Sequence, residues 1–109
     1  MDIEIHGHIF DRFIYEYLQI DFSLPPEQIE RIFWDNTGHC EPMPNIDKVL
    51  DYLKKLGICS GVISNLLTSG KTLSDRLNRL FPNNDFEFIV ASSEYMFRKP
   101  NKMIFELAL

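Results

Sequence analysis

The chain has 109 residues, a net charge of −5, 45% hydrophobic and 25% charged residues, which suits one compact globular domain or pieces of two. No cluster of lysine and arginine offers a surface for phosphate backbones, so nucleic acid is excluded as a partner. No apolar run is long enough to span a membrane and no signal-peptide pattern opens the chain, so no membrane association is expected. The two cysteines, Cys40 and Cys59, make no disulfide framework. Cys59 falls in an expected buried strand, where cysteine acts as a small hydrophobe, and a cytoplasmic location follows.

In chain order, Ile9, Phe10, Phe13, Ile14, Tyr17 and Leu18 repeat at helical spacing and predict a helix from about His8 to Leu18. Ser23 is placed to cap a second helix with Pro25 and Pro26 in its first turn and an apolar stripe of Ile29, Ile32 and Phe33. Residues 35–45 are rich in Asn, Gly and Pro and read as a hinge. Asn45 is a plausible cap for a third helix, whose face is Ile46, Val49, Leu50, Leu53 and Leu56, with Asp51 and Lys55 paired on the other side. Gly57 supplies the left-handed turn that stops it.

Ile58 to Ile63 is a short apolar run ending in Ser64-Asn65, and reads as a buried strand. Leu73, Leu77 and Leu80 mark a helix from about Lys71 to Phe81, ended by Pro82-Asn83-Asn84. Phe86 to Ala91 reads as a second strand, parallel to the first by the right-handed crossover rule. Ser92 is expected to start a loop. Pro100 suits the start of a last helix burying Met103, Ile104, Leu107 and Ala108. The fold class is α/β: a helical segment over residues 1–40, then an incomplete Rossmann-like core over residues 41–109.

In open parallel sheets, ligands gather at the carboxyl ends of the strands. Ser64 and Asn65 stand at such an end, where a hydroxyl and backbone N–H groups can hold an anion. By themselves they read first as turn formers closing a strand, and Lys99 as a solvated lysine before a helix. The order of Gly57-Ile58, Val62-Ile63-Ser64-Asn65, Phe88-Ile89-Val90-Ala91-Ser92-Ser93-Glu94 and Arg98-Lys99-Pro100-Asn101-Lys102-Met103-Ile104-Phe105 resembles the core of the haloacid dehalogenase superfamily of hydrolases. The resemblance runs from Pro44 to Leu109, and residues 1–40 match loosely as part of a helical cap.

The resemblance makes Ser64 and Asn65 the second motif and Lys99 the third. In that family an Asp carboxylate attacks phosphorus, or carbon in the dehalogenases. The Ser hydroxyl, the next backbone N–H and the Lys stabilise the transferring group. The resemblance therefore implies phosphate binding by Ser64, Asn65 and Lys99, charge stabilisation by Lys99, and a small phosphorylated substrate or anion as partner. It also implies Mg2+ as cofactor in the whole family site. The sequence carries no Asp-x-Asp-Gly-Thr and no late acidic motif, so the nucleophile and the metal ligands are absent from this chain. The expected function is that of a segment of a phosphate-ester hydrolase, inactive alone. The alternative is a non-catalytic remnant that binds itself or a partner. In the family sheet the strand of the first motif pairs with Ile58–Ile63, so that edge is expected to be open and to drive homo-oligomerisation.

Other candidates compete with simpler readings. Ile9-Phe10-Asp11 faintly resembles the entry to the first motif, but the helical repeat accounts for it. His6 and His8 could chelate a metal with Glu4 or Asp11, against a flexible, solvated start. His39, Cys40 and Glu41 lack a second cluster to complete a zinc site. Trp34 is expected to fill the interface between helical segment and core.

Overall fold

The computed structural model describes residues 3–109; Met1 and Asp2 of the expected helical segment lie outside the described residues. It is an α/β structure, with helices α1 (Gly7–Leu18), α2 (Pro26–Thr37) and α3 (Ile46–Lys55), strand β1 (Ser60–Ser64), α4 (Gly70–Leu80), β2 (Phe86–Ala91), a single turn α5 (Ser92–Tyr95) and α6 (Lys102–Ala108). β1 and β2 form a two-stranded parallel sheet, with Val62 opposite Ile89, Ile63 opposite Val90 and Ser64 opposite Ala91. The α4 crossover therefore brings the carboxyl ends of both strands, Ser64 and Ala91, to one end of the sheet.

The local reasons are readable. His6 caps α1 by accepting from the backbone N–H of His8, Ser69 caps α4 by accepting from that of Thr72, and Asn101 caps α6 by accepting from that of Met103. Gly57, at φ 68°, supplies the left-handed residue after α3. Gly61 is needed for another reason: a Cβ there would lie 2.3 Å from the Phe88 ring, which covers the opposing glycine across the ladder.

Several expectations are corrected. The last helix starts at Lys102 with Asn101 as its cap, two residues after Pro100. α2 starts after Pro25 with no side-chain cap, so Ser23 does not serve, and Asn45 precedes α3 in a left-handed conformation without a side-chain bond. β1 begins at Ser60, so Ile58 and Cys59 precede the strand and both are exposed; the Cys59 thiol is pushed up by its hydrogen bond to Glu87. Asp51 and Lys55 form no ion pair among the described residues; Lys54 instead reaches Asp85 and the Asn83 carbonyl. Ser92 opens a helical turn rather than a loop. Of the expected α6 core only Ile104 is fully buried, while Met103 and Leu107 are exposed.

The core is small. Leu73, Val90, Ala91 and Ile104 are its buried apolar residues among those described. The Cα radius of gyration is 16.0 Å, against about 13 Å for a compact chain of this length. The extra extent comes with a helical segment that rests on the core by polar contacts. Glu27 meets Lys71, Arg31 meets Asp75, and Asp35 meets both Arg79 and Arg76. These residues recur every fourth position on each helix, so α2 and α4 run side by side as a ladder of alternating sign. Arg76, nearly buried, closes the ladder: its guanidinium lies 3.8 Å from the centre of the Trp34 ring and donates to the Trp34 and Gly38 carbonyls at 3.2 Å. Those carbonyls are the end of α2, where a cation is favoured. The stripe of Ile29, Ile32 and Phe33 does not face the core; Ile32 and Phe33 are exposed on the opposite side of the helix.

Candidate functional site

The site is built at the shared carboxyl end of β1 and β2. Ser92 is fully buried and Ser93 nearly so. The Ser92 hydroxyl accepts from Leu66 N–H at 2.9 Å, and the Ser93 hydroxyl donates to the Thr68 carbonyl at 2.7 Å. These bonds tie the loop after β1 to the end of β2. The two serines, small enough to sit against backbone, explain why a polar pair follows the apolar run of β2.

Asn65 then fixes Lys99. Its Oδ1 accepts from Lys99 N–H at 2.7 Å, and its Nδ2 donates to the Lys99 carbonyl at 3.1 Å. The Lys99 Nζ donates to the Ile63 carbonyl at 3.0 Å. Lys99, over thirty residues on from Ser64 and Asn65, thus lies at the same end of the sheet as they do. The Asn65 side chain is thus fully engaged by the Lys99 backbone. Lys99 is exposed.

Around this end lies a set of acid groups, of which the sequence reading weighed Glu4 only as a metal ligand beside His6 and His8. Glu4, nearly buried, places its carboxylate 3.1 Å from the Ser92 hydroxyl and 3.7 Å from Arg98 Nε, and its N–H donates to the Met96 carbonyl. Glu94 accepts from Gly70 N–H at 2.8 Å, at the start of α4, and lies 3.1 Å from His6 Nε2. Because His6 Nδ1 accepts from His8 N–H, Nε2 is the protonated nitrogen and donates to Glu94. The Gly70 N–H chiefly, and then His6, hold the Glu94 carboxyl below its ordinary range. Glu30 accepts from Ser69 N–H, the Ser69 hydroxyl and the Thr72 hydroxyl at 2.6–3.1 Å, with His8 Nε2 2.9 Å away but not aligned for a hydrogen bond.

His6 and His8 are therefore half-buried parts of the fold, not a solvated start. Asp11 sits within α1, not at a strand end; burial chiefly, with Glu30 beside it, pushes its carboxyl up against the opposing pull of His8. The fourfold spacing of charges on α2 and α4 signals the ladder between those helices and not these contacts. Nothing in the pattern of residues 3–8 marked Glu4 or the histidines as anchors.

The residues described do not fit the family's magnesium. No three His, Cys, Asp or Glu side chains among them converge as metal donors, and the buried carboxylates Glu4 and Glu30 are engaged with hydroxyls, Arg98 and backbone. His39 pairs with Glu41 at 2.9 Å on the surface.

The profile of haloacid dehalogenase-like hydrolases matches residues 8–109. The chain belongs to that family. A curated relative, the glyceraldehyde 3-phosphate phosphatase of Methanothermobacter thermautotrophicus, is 43% identical over 68 residues, which is 62% of this chain and 29% of the relative. The chain thus aligns with under a third of that relative's length. No solved structure matches the chain significantly. Among the described residues no helix is long and apolar enough to cross a membrane.

Proposed function

We propose that this chain supplies the phosphate-holding part of a phosphate-ester hydrolase of the haloacid dehalogenase-like family. The observation that carries the reading is the meeting of Ser64, Asn65 and Lys99 at the carboxyl end of the parallel pair, through the double hydrogen bond from Asn65 to the Lys99 backbone. The Ser64 hydroxyl, the Asn65 main-chain N–H and the Lys99 ammonium receive the phosphate oxygens, and Lys99 offsets the charge that grows during transfer. The relative's name, a phosphatase of a small phosphorylated aldehyde, supports a small phosphorylated substrate.

The attacking carboxylate is not in this chain. In the family pattern it comes on a strand that pairs with β1 on the side away from β2, an edge that no strand covers among the described residues. Alone, the chain binds phosphate weakly and does not hydrolyse it. A second reading is favoured by that same edge: β1 presents unpaired N–H and C=O groups, to which a strand of another copy could add, giving a self-associating, non-catalytic module.

The test is a titration of the isotope-labelled chain with inorganic phosphate, followed by amide shifts. The expected result is a saturating shift at Ser64, Asn65 and Lys99 that is lost in Lys99→Ala. Unmoved amides at these three positions would sink the site. Magnesium-dependent hydrolysis of an aryl phosphate above background would sink the claim of inactivity.

A further inference from the structure

The two N-terminal helices carry an apolar surface that their own fold leaves uncovered. On α1, Ile9, Phe10, Phe13 and Tyr17 are 67, 50, 71 and 80% exposed and lie on one face. On α2, Ile32 and Phe33 are 53 and 68% exposed on the side away from the ladder to α4. Phe10 and Phe33 line the same cleft between the helices, so the two stripes adjoin. The polar face of α2 is already satisfied by the core, so the helix pair cannot turn over to bury this surface without breaking the ladder, the Arg76–Trp34 stack and the Glu30 bonds.

We propose that this face binds a second copy of the chain, α1 and α2 of each copy together closing a four-helix bundle. Two arguments select a second copy. The first is area: the four aromatics of the face and its isoleucines would remove on the order of 700 Å² per copy from water, close to the roughly 800 Å² per partner of a stable interface. The second is charge. The apolar stripe of α1 is flanked by one ion pair, Arg12 with Glu16 at 3.1 Å, both highly exposed. When two α1 helices cross antiparallel about a two-fold axis near Phe13 and Ile14, Arg12 of each copy faces Glu16 of the other, and Phe10 faces Tyr17. A two-fold contact needs such self-complementarity. A helix pair with apolar faces of this width reaches a closed core by pairing with another such pair.

The mass of the purified 109-residue chain by light scattering after gel filtration, at about 50 μM, tests this. The expected result is a dimer that Phe13→Glu converts to monomer, with the helical circular dichroism per chain retained. Tyr17→Lys, at the most exposed position of the stripe, gives the same conversion if Phe13→Glu lowers the yield of folded chain. Val49→Glu, an exposed apolar position on α3 away from the face, leaves the dimer intact. A wild-type monomer at this concentration overturns the proposal. So does a dimer that persists in both Phe13→Glu and Tyr17→Lys, which would move the contact to the β1 edge, and so does loss of the dimer in Val49→Glu.

Discussion

Asn65 grips the backbone of Lys99 from both sides, accepting its N–H and donating to its carbonyl at 2.7 and 3.1 Å. The residue that follows β1 thereby sets where the Lys99 segment lies. Asn65→Ala removes both bonds and leaves a donor and an acceptor to water. With Asn65 half-buried, the expected cost is about 1 kcal/mol of stability, read from the urea midpoint. The phosphate-induced shift at Lys99 should weaken more than that at Ser64, because only the lysine loses its anchor. Equal weakening at both would show that Asn65 acts on the loop as a whole.

Glu94 and Asp11 should titrate in opposite senses. The Glu94 carboxyl is held below its ordinary value by Gly70 N–H and His6, so its contribution is present above that value and is lost as pH falls through the lowered one. Asp11 is raised by burial, so its contribution is present below its ordinary value and is lost as pH rises through the raised one. Glu94→Gln should therefore flatten the acid limb of a stability–pH curve, whereas Asp11→Asn should stabilise the chain near pH 7. Urea midpoints between pH 3 and pH 7 decide this; a steeper acid limb in Glu94→Gln would contradict the assignment.

The strand pairing, the parallel direction and the helix stops were legible in the sequence because they follow from short-range chemistry. Gly57 has one use after Leu56, and the apolar run from Phe86 to Ala91 has one period. The Ser64–Lys99 meeting was legible only through family order, since no spacing rule brings those residues together. The direction of the α2 stripe was not legible. Ile32 and Phe33 face out because Glu27, Arg31 and Asp35 on the other side find opposite charges on α4, and a helix with two usable faces can dock by either. Cys59 failed for a different reason: the strand begins two residues later than the apolar run suggests.

The ladder between α2 and α4 should be tunable by charge and salt. Each exposed pair is worth about 0.2–1 kcal/mol, so Arg31→Asp should destabilise modestly and Asp75→Arg likewise, while the double exchange restores most of the loss. Raising ionic strength shortens the reach of these charges, to about 3 Å at 1 M, and should shrink the coupling measured by the double-mutant cycle. A coupling unchanged between low and high salt would mean that packing, through Trp34 and Arg76, carries the contact instead.

Gly7 offers the sharpest steric test of how the N-terminal segment is seated. Its N–H donates to the Leu67 carbonyl at 2.7 Å, and a Cβ on Gly7 would lie 2.7 Å from that same oxygen. The obstacle is backbone, which cannot swing aside as a side-chain tip can. Gly7→Ala therefore has to push residues 3–7 off the loop that carries Asn65 and Leu66. That displacement pulls on Glu4, whose carboxylate meets Ser92, and on His6, which meets Glu94. The expected loss is about 1–3 kcal/mol, the usual range for overpacking, although alanine is the better helix former at the start of α1. Propensity and contact thus predict opposite signs. Thermal unfolding of Gly7→Ala beside a helix-surface control, Asn36→Ala, tells them apart. A Gly7→Ala chain as stable as the parent or more so would show that the N-terminal segment is not seated against Leu67, and the buried setting of Glu4 would fall with it.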